Sequence, residues 1–599
     1  MSAENTPTTP PSDPKVELEA DNEEDEFEDA PSTFQRNDAV TEITHEAGME
    51  TITKVLNMML NNQYFEAEAI LKPWADVSPY HCVGYGTIVF CQAMMSFEPE
   101  TIELASSILQ DAVALLNTIR KKQGVMESLS GMVFGQKMDS YTTAELHAEI
   151  FYAECNMLQS LLTFFQDESL MSFIKGGLKI RQCYSMYKNF YSWVESSKLE
   201  GVVLDPEFIA GVQLGIGCFN LIISLLPQRI LKLLEFVGFS GNQLLGLQEL
   251  TNGARSQTIH SSMCTSFILF YHTVASVMLG LASTEVDHAD GLLQLQMERH
   301  PNCLLYLYFK GRIALLRGNV DEAITWFNKA MAAQDQWKKV HHLCYWELKW
   351  CYVFKGQYAK ASHYADILYR ESRWSKSTFL YQKAAFQLML RHKSYLPEQV
   401  DTSITMATDS QWEEIMREIP THKQRIAGKS IPVEKFVIAK AERSLEGARL
   451  PLCGLEMVYA WNGFQLLSKN KQLLESVLRI VWDELMTLEE LKDSNKHYID
   501  DWSIVTLIQG VCFKGLERFD EAQQCFEAVI NRSGELQVDH YTAPAAQMEL
   551  GLLHLEKGDL LKAEKTLETA KTAYKGYHLE SRIHFRIHAG LCRISHQKT

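Results

Sequence analysis

The feature that most constrains this chain is a recurring pair of helix-length segments in which small residues return at fixed offsets. The run GRIALLRGNVDEAITWFNKAM places Gly311 and Ala323 twelve residues apart, Phe327 four later and Ala330 three after that. Apolar residues at three- and four-residue spacing make each half an amphipathic helix, and Gly318-Asn319 sets a turn between them. A small residue on each helix lets the two backbones approach where they cross, and a ring fills the groove toward the next unit. Such a hairpin cannot bury its apolar face alone, so it must stack on other copies.

Further units follow. YWELKWCYVFKGQYAKASHYADIL supplies Tyr345, Leu348, Tyr352, Gly356, Tyr358 and Ala361, with the crossing alanines Ala323 and Ala361 38 residues apart. GVCFKGLERFDEAQQCFEAV supplies Gly510, Phe519, Ala522 and Phe526, and ELGLLHLEKGDLLKAEKTLETA supplies Gly551, Gly558, Ala563, Leu567 and Ala570. An earlier partial unit carries Tyr64, Ala67 and Leu71. These segments resemble the tetratricopeptide repeat, with spacings longer than its usual period of about 34 residues, which implies longer helices or turns. The reading is an all-α, tetratricopeptide-like α-solenoid, closed by a polar-faced helix over residues 577–595 that mixes Arg582, Arg586 and His588 with apolar residues.

Six stretches are expected along the chain: an acidic tail over 1–38, degenerate hairpins over 39–120, a central helical region over 121–300, repeats over 301–392, a basic loop-rich insertion over 393–435, and C-terminal repeats with a capping helix over 436–599. In the central region, residues 208–226 and 259–282 are uncharged and long enough to span a bilayer. Gln213, Asn220, His260 and His272 interrupt them, so buried core helices are the favoured reading and membrane spans the alternative.

Composition narrows the function. Net charge is -18, which disfavours a nucleic-acid groove, because phosphate binding needs clustered Lys and Arg. Residues 1–30 hold eleven acids against Lys15, a net of -10, which leaves -8 for the other 569 residues. Acid density and the prolines Pro7, Pro10, Pro11, Pro14 and Pro31 leave too little apolar surface to offset ordering, so the tail is expected to be disordered. Thirteen cysteines without a CxxC pair and a start unlike a targeting signal read as reduced thiols in the cytosol.

Catalytic constellations do not emerge. Ala427-Gly428-Lys429-Ser430 ends like a phosphate loop, but Lys423 stands where its first glycine belongs. Gly215-Ile216-Gly217 sits within a helical run, and Asn220 takes the place of a third glycine. His584 and His588 share a helical face without a third ligand nearby in sequence. The expectation is a protein that is not an enzyme and needs no metal and no cofactor.

The tail carries a more specific signal. In DNEEDEFEDAPSTF one aromatic, Phe27, stands among acids and is followed by Ala30. Acids steer a peptide to a basic surface and a ring anchors it. The segment resembles the FFAT motif through Glu26, Phe27, Asp29 and Ala30, with Glu28 replacing the second aromatic and Ser32 the closing acid. Phosphorylation of Ser32 or Thr33 would restore that charge. The resemblance implies a VAP receptor at the endoplasmic reticulum as partner.

Together with LPQRILKLLEFVGFSGN and GKSIPVEKFV, the repeats make the chain similar to the tetratricopeptide repeat protein 39 family from about residue 45 onward. That resemblance implies relatives among fungal inclusion-body clearance proteins, in the cytosol and at the mitochondrial outer surface, and a link to lipid homeostasis in vertebrates. Three readings stay open. One is a cytoplasmic scaffold that binds protein partners on its repeat surface, where Trp346 and Tyr352 either line the groove or pack in the core. The second is a lipid-handling protein with an apolar cavity between the central helices. The third is a peripheral or integral organelle-membrane protein.

Overall fold

The computed structural model describes residues 43–121, 141–166, 170–225, 241–281, 285–391, 409–426 and 429–598, almost all of them in helices. The tail motif and the segment 226–240 lie outside these residues. Within 393–435, expected to be loop-rich, Asp409–Glu418 is helical. Met416 and Ile419 are fully buried there, and Trp412 Nε1 donates to Ser444 Oγ at 3.2 Å, so the segment earns its helix by packing. Arg425–Ile426 and Lys429–Ser430 pair as two short antiparallel strands.

Hairpins are built to one local rule. The residue before each second helix's N-cap takes the left-handed conformation: Asn62, Gly318, Gly356, Glu517 and Gly558, with φ between 62° and 82°. The next amide then donates back five residues, as in Gln63 N to Met58 O at 2.9 Å, Asn319 N to Ala314 O at 2.9 Å, and Arg518 N to Phe513 O at 2.9 Å. This is the Schellman closure, which satisfies helix-end carbonyls and reverses the chain in two residues. Glycine meets the demand without steric cost, whereas Asn62 and Glu517 hold it through their contacts.

The second helix then lies close enough that a Cβ on the first would collide. A Cβ at Gly311 would stand 2.6 Å from the Phe327 ring, one at Gly510 2.6 Å from the Phe526 ring, and one at Gly551 2.7 Å from Leu567. In each case the partner is sixteen residues on. The second repeat reverses the sizes. By register with Gly318 and Gly356, Lys349 takes the glycine position and Ala365 the ring position, and both are fully buried. Ala323, Ala361, Ala522 and Ala563 are buried at the crossings, as are Ala330 and Ala67. Tyr345 lies half-buried against Tyr364, their rings 5.6 Å apart.

One continuous apolar core runs from Leu269 to Ile594 through the repeats from Leu304 onward, and three smaller cores fill the N-terminal half, one of them holding Ala67 and Leu71 of the first hairpin. Asn62 joins the two. Its Oδ1 accepts from Leu304 N at 3.0 Å and its Nδ2 donates to Asn302 O at 2.7 Å, so the first hairpin caps the first helix of the repeat Leu304–Ala332.

The central helices owe their closeness to glycine as well. A Cβ at Gly215 would fall 2.0 Å from the Tyr187 ring, and one at Gly217 2.6 Å from Leu250. That packing is what the glycines of Pro206–Ser224 serve. Among the described residues three helices are long and apolar enough to cross a membrane by length and composition: Pro99–Ile119, Pro206–Ser224 and His260–Leu279. His260–Leu279 widens to a π turn over Tyr271–Ala275, where the Thr273 carbonyl accepts Arg312 Nε at 3.1 Å. Arg312 also meets Glu347 at 2.5 Å, tying this helix to two repeats at once.

Ion pairs replace apolar contacts at several depths. His260 is held between Glu154 at 2.9 Å and Glu207 at 3.6 Å. Burial alone would depress its pKa, but the two carboxylates raise it to about 9. Lys440 bonds Glu456 at 2.6 Å and Asp539 at 2.7 Å, while Arg443 bridges Asp501 and Asp539. Glu549 is fully buried between Lys514 at 2.6 Å and Arg586 at 2.7 Å. Burial would push its carboxyl up, but the two cations outweigh that and hold it at about 2. Removing one member of such a group is costly because it strands the others in low dielectric.

Two outcomes test this packing. Gly510→Ala should lower stability by about 1–3 kcal/mol despite alanine's better helix propensity, since the Phe526 ring cannot retreat. Phe526→Leu, which frees that space, should make the double variant less unstable than the two single changes predict in a denaturant cycle; strict additivity would contradict the crossing. Glu549→Gln should cost about 3–5 kcal/mol at pH 7. Glu549's folded pKa lies below its unfolded value, so its stabilisation is full above pH 4.5 and fades as pH falls toward 2. The melting-temperature gap between wild type and variant should therefore narrow from pH 5 to pH 3. A gap independent of pH would show that Glu549 is not held as an ion there.

Candidate partner-binding cleft

The first helices of stacked hairpins line the inner face of a solenoid, so that face is where a bound segment would lie. Across residues 341–389 the chain fills this face itself. Trp346, Trp350, Trp374 and Phe379 converge there, and Trp461 from the helix Cys453–Ala460 and its turn inserts among them, its ring 4.8 Å from Trp346 and 6.4 Å from Trp374. The Arg582 guanidinium lies 4.7 Å over Trp461. Lys349 sends its amine into the same cluster, 3.6 Å over the Trp346 ring and 4.5 Å over Trp350, and donates to Gln382 Oε1. Burial drives its pKa well below the ordinary lysine range against the pull of Glu347. A neutral lysine can be a nucleophile, but this one is fully buried, so it packs. Tyr352 stacks on Tyr364 at 5.7 Å and is half-buried.

Farther along, the inner face opens into a cleft of about 470 Å³. Gly280, Tyr459, Phe464, Lys469, Lys471, Val511, Lys514, Phe519, Glu549, Leu552, Glu556, Arg586 and Arg593 are among the residues that line it. Its walls are held rigidly. Asn462 Nδ2 donates to Val277 O at 2.6 Å, and Gln465 Nε2 to Leu281 O at 3.3 Å, which fixes the turn after Trp461 against the central helix. Asn470 Nδ2 reaches Gly318 O at 3.0 Å, and Gly318 packs so near Lys469 that a Cβ there would lie 2.6 Å from its carbonyl oxygen. The last helix, Glu580–Lys598, closes the far side, with Arg586 against Gly280.

Both chemistries are present. Phe464, Val511 and Leu552 make an apolar floor. Five cations, Lys469, Lys471, Lys514, Arg586 and Arg593, face three acids, Glu517, Glu549 and Glu556. Lys471 pairs with Glu517 at 2.8 Å at the rim. Tyr459 OH donates to Glu549 at 3.3 Å below it. The arrangement has the shape and polarity to hold an extended segment. Lys471 with Glu517, and Lys514 and Arg586 with Glu549, are engaged in ion pairs along its lining.

Of the residues singled out by sequence, Gly311 meets Phe327, Gly510 meets Phe526 and Gly551 meets Leu567, Ala323, Ala330, Ala361, Ala522 and Ala563 are fully buried, and Tyr345 packs beside Tyr364. None of them lines the cleft. Glu26, Phe27, Asp29, Ala30, Ser32 and Thr33 lie outside the described residues. His588 faces Cys592, Nε2 to Sγ 3.6 Å. All thirteen cysteines are free thiols, ten of them buried. Among the described residues no group of three or more His, Cys, Asp or Glu side chains is placed to hold a metal. The cleft escaped sequence reading because its lining comes from five separate segments.

Residues 53–516 match the family model for Iml2/Tetratricopeptide repeat protein 39, and residues 513–578 match a tetratricopeptide repeat model. The chain is 30% identical over 578 residues to Tetratricopeptide repeat protein ttc-39B of Caenorhabditis elegans, covering 92% of this chain and 94% of that protein. Two solved structures overlap it at 11% identity. The crystal structure of yeast Tom70 covers 92% of this chain and 96% of its own with a TM-score of 0.24. The APC/C hetero-tetramer Cut9-Hcn1 covers 88% and 94% with a TM-score of 0.23. Overlaps at that level fix no common shape. The family model's reach across most of the chain and the full-length relative place this protein in the Iml2/Tetratricopeptide repeat protein 39 family.

Proposed function

We propose that the chain is a non-enzymatic scaffold that holds a protein partner in the C-terminal cleft and is tethered at the endoplasmic reticulum by its FFAT-like tail, facing the cytoplasm. The observation that carries this reading is the contrast between the two inner faces: one is filled by the chain's own Trp461, and the other is left open, rigidly walled and lined by both apolar and charged groups. Two binding elements in one chain would hold a cargo near a membrane by raising its effective concentration there. A role in lipid homeostasis or protein clearance follows from the family resemblance and would be served by such a tether. The mitochondrial outer surface is the alternative address.

A second reading, attachment to an organelle membrane or an apolar ligand, is favoured by one face of His260–Leu279. Phe267, Phe270 and Met278 are 40%, 51% and 39% exposed there. Alkaline carbonate extraction separates the two modes: a peripheral protein is released, and a spanning one stays in the pellet.

For the tether, a peptide of residues 20–36 should bind a VAP receptor domain, with Phe27→Ala weakening it by roughly 2 kcal/mol or more, as an anchoring ring would. Phosphorylation at Ser32 or Thr33 should strengthen binding. Equal binding of wild-type and Phe27→Ala peptides in titration calorimetry would end the tether proposal and leave the cleft untouched by that result.

A further inference from the structure

The cleft's charge balance is opposite to that of the chain around it. Five cations against three acids leave it at +2, while the full sequence stands at -18. How those charges are engaged sharpens the point. Glu549 is buried and shared by Lys514 and Arg586, so one negative charge is met by two positive ones within the wall. Glu517 is taken by Lys471. Glu556 reaches Lys514 only at 3.8 Å and lies in the field of Arg593. The side chains of Lys469 and Arg593 make no hydrogen bond or ion pair among the described residues, and they come to the cleft from separate elements, one from the turn after the helix Phe464–Leu467 and the other from the last helix.

Two cations without a side-chain hydrogen bond or ion pair, in a cleft that also holds apolar residues, define a ligand chemistry. Carboxylates would meet Lys469 and Arg593, and an apolar side chain between them would cover Phe464, Val511 and Leu552. Low-dielectric walls focus the field of such groups, so a local positive site can attract an acidic segment even on an acidic protein. A basic segment would set its charges against five cations. A purely apolar one would cover Lys469 and Arg593 without pairing them, which costs more than it returns. From this juxtaposition we propose that the C-terminal cleft is the docking site for an acidic peptide segment of a partner protein, its carboxylates held by Lys469 and Arg593 and an apolar side chain set on Phe464, Val511 and Leu552. The proposal rests on the scaffold reading above and names the class of partner for that surface.

The test uses the full chain and a fluorescent ten-residue peptide of glutamates around one central leucine, with a glutamine version and a lysine version as comparators. Anisotropy at low ionic strength should show the glutamate peptide binding about tenfold or more tighter than the glutamine peptide, with affinity falling as salt is raised. The double variant Lys469→Gln, Arg593→Gln should lose that preference while its melting curve stays near wild type. Lys54→Gln, which removes a cation at a distant exposed site, should keep it. Undiminished glutamate-peptide binding by the double variant would overturn the assignment to this cleft. Equal binding of glutamate and glutamine peptides, both lost in the double variant, would overturn the acidic class but leave the scaffold reading standing. Failure of all three peptides to bind would overturn the proposal outright. Should Arg593→Gln unfold the chain, Lys469→Gln alone, at an exposed position, must still weaken the glutamate peptide.

Discussion

How near two helices of one hairpin can come is set by the absence of a single β-carbon, and the repeats inherit their geometry from that approach. Gly311, Gly510 and Gly551 each receive a large side chain sixteen residues later, over a turn that the left-handed residue before the second helix closes. With the crossing fixed, the outer groove of each hairpin is the right shape for its neighbour, and one core runs unbroken from Leu269 to Ile594. In the second repeat the corresponding positions hold Lys349 and Ala365, both fully buried, and the Lys349 amine lies in the aromatic cluster.

This explains which features could be read before the fold was known. Gly311 with Ala323 and Phe327, or Gly510 with Ala522 and Phe526, are local patterns, because their partners sit within one hairpin. Lys349 and Ala365 break the pattern, so the second unit shows its register through Gly356 and Ala361. The helix Asp409–Glu418 hid within a basic, turn-rich stretch because its stability comes from burying Met416 and Ile419 against distant chain, a contact no local spacing encodes. The cleft was beyond reach for the same reason: Gly280, Lys469, Lys514, Glu549 and Arg593 meet only after the last repeats have folded back on the central helix.

Buried charge is the other organising element. Arg312 links the π turn of His260–Leu279 to Glu347 in the second repeat, Lys440 and Arg443 gather Glu456, Asp501 and Asp539, and Lys514 with Arg586 encloses Glu549. Each group spans helices far apart in sequence, so it specifies which repeats meet as well as how firmly. Here they are satisfied by one another inside the walls. The cleft beside these groups is also lined by Lys469 and Arg593.

One inner face is closed by the chain's own residues 453–467, and the other is the face proposed to receive a partner segment. Hydrogen exchange of the full chain, with and without the acidic peptide, tests both halves at once. The account predicts that amides of 453–467 exchange as slowly as those of the repeats in the free protein, and that peptide slows exchange around 511–519 and 586–593 while leaving 341–389 unchanged. Rapid exchange across 453–467, or protection appearing over 341–389 instead of around the cleft, would contradict it.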